Sequence, residues 1–142
     1  MFSIIPMTVP PDLQAYAALA AFRYQLRKFL RFSKDYLIQA NLTPEQYEAL
    51  LALKAYSGTN GLTVGDLSDR LQVKHHTAVS LTDKLAARKL VTKHRDQTNR
   101  RKVFVKLTAA GAALLAKTAA VHHVELKSRS AEMIDALRRV QS

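Results

Sequence analysis

The chain has no cysteine among its 142 residues. That excludes disulfides, thiolate metal sites and thiol-based redox sensing. Glycine and proline are scarce, four of each, which points to a helical protein with few long loops. No window approaches the roughly 18–20 apolar residues of a membrane span. The opening MFSIIPMTVPP lacks the basic start and unbroken apolar core of a signal peptide, so a cytoplasmic protein is expected. Acidic side chains are the remaining shortage: 11 Asp and Glu face 22 Lys and Arg, a formal net charge of +11.

The excess of positive charge is local. Residues 1–69 carry 6 basic and 6 acidic side chains, and residues 107–142 carry 5 and 3. Residues 70–106 carry 11 Lys and Arg against only Asp83 and Asp96. A surface charged for solubility mixes the signs more evenly, whereas a concentrated positive field suits a polyanion whose phosphates release counterions on binding.

Periodicity predicts a mainly α chain with a small β-hairpin. Residues 1–11 read as an apolar arm broken by proline. A long helix is expected over 12–39, opened by Asp12 after Pro10 and Pro11, with Leu19, Phe22, Leu26, Phe29 and Leu30 on one face and Arg23, Arg27 and Arg31 on another. A helix of that length in a small domain suits packing against a second subunit, or the core of a monomer. Thr43-Pro44-Glu45-Gln46 is a capped start with proline at the first helical position. It leads into helix 44–56, with Tyr47, Leu50, Leu51 and Tyr56 expected inside. Thr63 and Asp66 cap a short helix 64–71, followed by a turn near Val73 and a helix over 75–88. Strands 91–95 and 102–107 flank a tip at 96–101, and Val103, Val105 and Leu107 share one strand face. Thr108 opens a last helical region, 109–139, with a bend expected at Lys127-Ser128-Arg129-Ser130. Leu114, Leu115, Ala119, Val124, Met133, Ile134, Leu137 and Val140 are its candidate packing positions.

A helix pair followed by a basic hairpin is the layout of a winged helix-turn-helix, so double-stranded DNA is the expected partner. In helix 75–88, Ala78, Leu81, Thr82 and Leu85 fall on one arc and would pack inward. His75, His76, Thr77, Val79 and Ser80, near the helix start, are the candidate base contacts: hydroxyls donate or accept, and valine suits a thymine methyl. Lys74, Lys84, Arg88, Lys93, Arg95 and Lys102 are candidate phosphate contacts. The tip carries Asp96, Asn99, Arg100 and Arg101. Arg101 (or else Arg100) suits a narrow minor groove, with Asp96 or Asn99 holding its guanidinium. The pairs His75-His76 and His122-His123 lack further donors for a metal, and no cofactor is expected. No nucleophile–base pair or phosphate-cradling glycine loop suggests an enzyme. The competing class is a winged-helix module that contacts protein or RNA.

From Leu42 to Leu115 the chain resembles the MarR family of bacterial transcription regulators. The resemblance rests on LTPEQYEALLAL, LTVGDLSDRLQV, TAVSLTDKLAARKLV and RDQTNRRKVFVKLTAAGAALL. In the last segment Asp96, Asn99, Arg101, Val103, Val105, Leu107, Thr108 and Gly111 match the family's wing, with Asn99 where the family commonly has Asp. The resemblance implies an arm and dimerisation helix over 1–40, a DNA-binding region over 41–110, and C-terminal dimerisation helices over 111–142. It implies a homodimer that binds a pseudo-palindromic operator, usually as a repressor, released by a small aromatic or anionic effector. Arg23, Tyr24, Arg27 and Tyr36, with His122 and His123, would line the effector cleft in that geometry.

Overall fold

The computed structural model describes residues 9–142; the expected arm lies outside the described residues except for its last three. The element order is α1 (Leu13–Gln39), α2 (Pro44–Tyr56), β1 (Leu62–Thr63), α3 (Val64–Leu71), α4 (His75–Ala87), β2 (Val91–Arg95), β3 (Val103–Leu107) and α5 (Ala109–Gln141). The chain resolves into two compact units: residues 33–123, and residues up to 32 together with 124–142. Helices α1 and α5 contribute to both.

Helix starts follow their sequence signals. Asp12 Oδ1 accepts the Ala15 N–H at 2.8 Å. Thr43 and Gln46 close a capping box with two 3.1 Å bonds, and Thr63 and Asp66 close another with two 3.0 Å bonds. Helix ends use one device three times. Asn41, Gln72 and Lys89 adopt left-handed φ values of 56°, 54° and 61°. The next residue in each case, Leu42, Val73 or Leu90, returns its N–H to the carbonyl five positions back. Each of those three side chains packs into or against the core. These are Schellman stops built without glycine.

The core of unit 33–123 gathers Leu37, Leu50, Leu53, Leu67, Leu85 and Val105, all essentially inaccessible. Helix α2 buries Gln46, Tyr47, Ala49, Leu50, Ala52 and Leu53. Leu51 and Tyr56 are exposed, contrary to expectation. Leu51 falls on the side of α2 opposite Gln46 and Leu53, and the Tyr56 ring lies 3.5 Å beneath the Arg70 guanidinium, a cation–π contact at the surface.

The sheet has three strands in the order β1-β3-β2 rather than two. Leu62 pairs with Val105 and Thr63 with Phe104, both antiparallel. The wing proper pairs Val91 with Leu107 through Arg95 with Val103. Its base is closed by Thr108, whose Oγ1 donates to the Lys89 carbonyl at 2.7 Å, whose N–H donates to the Leu90 carbonyl, and whose Oγ1 accepts the Gly111 N–H at 3.0 Å. A methyl group at Gly111 would run into the Leu90 carbonyl, so this helix start requires glycine.

Helix α5 runs unbroken through Lys127–Ser130, where a bend was expected. Ser128 and Ser130 donate to carbonyls three residues back, and Arg129 pairs with Glu125 at 2.7 Å, an i,i+4 link that stiffens this stretch. Of its expected packing positions Leu115 is buried, while Val124, Ile134, Leu137 and Val140 are exposed. Thr118, His122 and Ala136 are buried instead.

Candidate nucleic-acid interface

Helix α4 is positioned by α3 and by the left-handed turn at Gln72. Its inner arc is as expected: Ala78, Leu81, Thr82 and Leu85 are buried. The N-cap, Lys74, makes no side-chain cap bond. The first turns present His75, His76, Thr77 and Ser80 to solvent. Val79 is half-buried and faces sideways. With His75, Lys93, Arg95, Arg101, Lys102 and Val103 it lines a cleft of about 370 Å³ between α4 and the wing. The cleft thus joins two of the proposed base-contact residues to four cations of the hairpin.

The expected phosphate contacts separate into two groups. Lys74, Lys84 and Lys102 are exposed. Arg88, Lys93 and Arg95 are engaged within the fold. Arg88 donates to the Asn41 carbonyl and the Gln46 side chain, pinning the end of α4 to the corner between α1 and α2. Lys93 donates to Asp83 of α4. Arg95 donates to the Arg100 carbonyl at 2.7 Å and braces the tip.

The tip is organised differently from expectation. Asp96 accepts from the Thr98 N–H and hydroxyl, and Asn99 Oδ1 accepts the backbone N–H of Arg101 at 3.2 Å. Neither holds the Arg101 guanidinium. Asn99 fixes the backbone from which that side chain departs, and the guanidinium faces the cleft.

Of the expected effector residues, Arg23, Tyr24 and Arg27 belong to the unit that ends at residue 32, and Tyr36 to the unit 33–123. Tyr24 is exposed beneath the Lys28 ammonium, 5.1 Å from its ring centre. Tyr36 meets His122 edge-on at 5.7 Å. His122 itself is buried, with Nδ1 2.8 Å from the Thr118 carbonyl and Nε2 2.8 Å from Ser33 Oγ, and its ring stacks on Tyr47 at 4.4 Å. Because a carbonyl only accepts, Nδ1 carries the proton. This cluster ties α1, α2 and α5 together within unit 33–123. Its sequence signal was the histidine on the apolar face of a helix; its partners lie 75 or more positions away on α1 and α2. Among the described residues no three His, Cys, Asp or Glu side chains could hold a metal ion, and no helix is long and apolar enough to cross a membrane.

A helix pair whose second member exposes its first turns beside a cationic hairpin is a winged helix-turn-helix. Residues 40–102 match the model of the MarR family. Solved structures with this fold include AbsC, a MarR family transcriptional regulator from Streptomyces coelicolor, at 20% identity and a TM-score of 0.76, covering 86% of this chain and 82% of that one. They also include MepR, a transcription regulator of the Staphylococcus aureus multidrug efflux pump MepA, at 25% identity and a TM-score of 0.71, covering 82% and 83%. The S. aureus MepR–DNA complex is 24% identical with a TM-score of 0.68, covering 84% and 93%. No curated protein sequence matches the chain. Over residues 40–102 the chain is thus similar to the MarR family of transcription regulators, and its winged-helix fold is the one seen in those solved structures.

Proposed function

We propose that the protein is a cytoplasmic, non-enzymatic transcription regulator that binds double-stranded DNA as a homodimer on a pseudo-palindromic operator, acting as a repressor. The observation that carries this reading is the cationic cleft between α4 and the wing, lined by Lys93, Arg95, Arg101 and Lys102 beside His75 and Val79. With α4 in the major groove, His76, Thr77 and Ser80 address base edges, while His75 and Val79 sit at the cleft side of the same helix. Lys74, Lys84 and Lys102 fix the register on phosphates. Arg101, its backbone held by Asn99, enters the adjacent minor groove.

The dimer is supported by where apolar surface is left uncovered. Leu13, Tyr16, Leu19, Tyr24 and Leu30 on α1 are exposed, as are Val124, Leu126, Ile134, Leu137 and Val140 on α5. All ten belong to the unit formed by residues up to 32 and 124–142. Uncovered apolar surface of this extent marks an association face, and a second copy offers the same face in return. A small aromatic or anionic effector acts on the dimer, with Arg23, Tyr24 and Arg27 of α1 as the residues to test for contact.

The test is selection of bound duplexes from a random pool, repeated with aromatic acids present. A recovered palindrome with a steep salt dependence is expected. Equal retention of RNA, single strands and all duplexes would sink the reading and favour a general interaction module.

A further inference from the structure

The reading helix carries one carboxylate. Asp83 is the only acidic residue of α4, exposed on the same face as His76 and Ser80. Within residues 70–106 it is one of two acids among eleven cations. A bare carboxylate on this face would repel any phosphate passing it. Asp83 is not bare. Its Oδ1 accepts from the Lys93 ammonium of β2, although the two side chains are 56% and 30% exposed. Lys93 also lines the α4–wing cleft with Arg95, Arg101 and Lys102, so the ion pair withholds one cation from the group that faces DNA.

We propose that Asp83 is a specificity-determining residue that acts by keeping Lys93 off the phosphate backbone. The inference rests on the DNA-reading function proposed above. Affinity for arbitrary duplex is counted in neutralised phosphates, and a lysine that stays with Asp83 releases no counterion. On an operator, base contacts from the first turns of α4 fix one register, in which the pair stays intact. On arbitrary sequence no register is fixed. The backbone then passes α4 at every offset, and a free Lys93 would capture phosphates. For a phosphate to take Lys93 it must leave Asp83 unpaired beside a polyanion. The carboxylate therefore works as a repulsive element against the wrong duplex, a recognised route to discrimination.

The experiment measures binding of the whole protein to a selected operator duplex and to a random duplex of equal length, across salt concentrations. The wild type is compared with Asp83→Asn and with Asp83→Asn/Lys93→Met. Asp83→Asn is expected to bind random duplex about five- to tenfold tighter, with the slope of log affinity against log salt steeper by about 0.9, one added phosphate. Operator affinity is expected to change by less than about twofold, so the specificity ratio falls. Adding Lys93→Met returns the random-duplex slope to the wild-type value. An unchanged slope in Asp83→Asn overturns the inference, and so does a gain that survives Lys93→Met, because Lys93 would not then be its source. A wild-type protein without salt-dependent duplex binding overturns the DNA-reading function itself, a result separable from the other two.

Discussion

Arg101 and Tyr47 set the scale at which single side chains matter. Arg101 faces the cleft while Asn99 holds its backbone N–H, so the guanidinium is presented without being committed to another side chain. Arg101→Ala is expected to weaken operator binding by about 1–3 kcal/mol, the worth of one good DNA contact. Binding isotherms at fixed salt check this, and an unchanged affinity removes Arg101 from the interface. Tyr47 belongs to the fold instead. Burial pushes its phenol above the ordinary 10.0, and the neighbouring Glu48 carboxylate pushes the same way. The unfolded chain ionises this phenol first as pH rises. The stability tied to the neutral ring is therefore fully present below about pH 10 and is lost as pH climbs through the raised folded-state value. Tyr47→Phe should flatten the alkaline decline, read from thermal melts at pH 8 and pH 10.5. Identical declines in both proteins would mean that the phenol ionises equally in the folded and unfolded states.

Among elements, the helix stops are the places where backbone conformation and residue type disagree. Lys89 holds a left-handed φ of 61°, which costs a non-glycine residue roughly 1–2 kcal/mol. Lys89→Gly relieves that strain against a larger loss of backbone entropy on folding. A net gain of about 0.5–1 kcal/mol is expected, seen as a higher melting temperature. A lower one would show that the Lys89 side chain contributes to stability through its packing. These stops also mark where the sequence was readable. Both capping boxes and the alternation of β3 were legible because the signals lie within a few residues of one another. Strand β1 was not. Leu62 and Thr63 pair with residues more than 40 positions on, and Thr63 already reads as a helix cap. Leu51 was expected inside because it is leucine on a helix; which face of α2 turns inward is decided by α3, α4 and β3. The site shows the same division. Helix α4 and the hairpin of β2 and β3 could be located as elements from period and turn signals. The engagement of Arg88 by Asn41, 47 positions away, and of Lys93 by Asp83 depends on tertiary placement that no local pattern encodes.

At the scale of the whole molecule, most of the exposed apolar side chains among the described residues lie on α1 and α5. Leu19→Glu and Leu137→Glu each put a charge onto the exposed apolar residues of α1 or α5. Each is expected to cost the dimer about 2–4 kcal/mol, the scale of an interface anchor. Sedimentation then reports a halved mass, and operator affinity falls with it because one half-site is read by one protomer. A wild-type mass equal to one chain would end the dimer proposal. A further consequence lies in the clasp at Thr108. That residue closes the wing at its base, through bonds to the Lys89 carbonyl, the Leu90 carbonyl and the Gly111 N–H, and none of these reaches the tip at residues 96–101. Folding is thereby insulated from reading. The tip is an interchangeable part: a variant that lengthens or rewrites residues 96–101 leaves the bonds that close the domain beneath it in place.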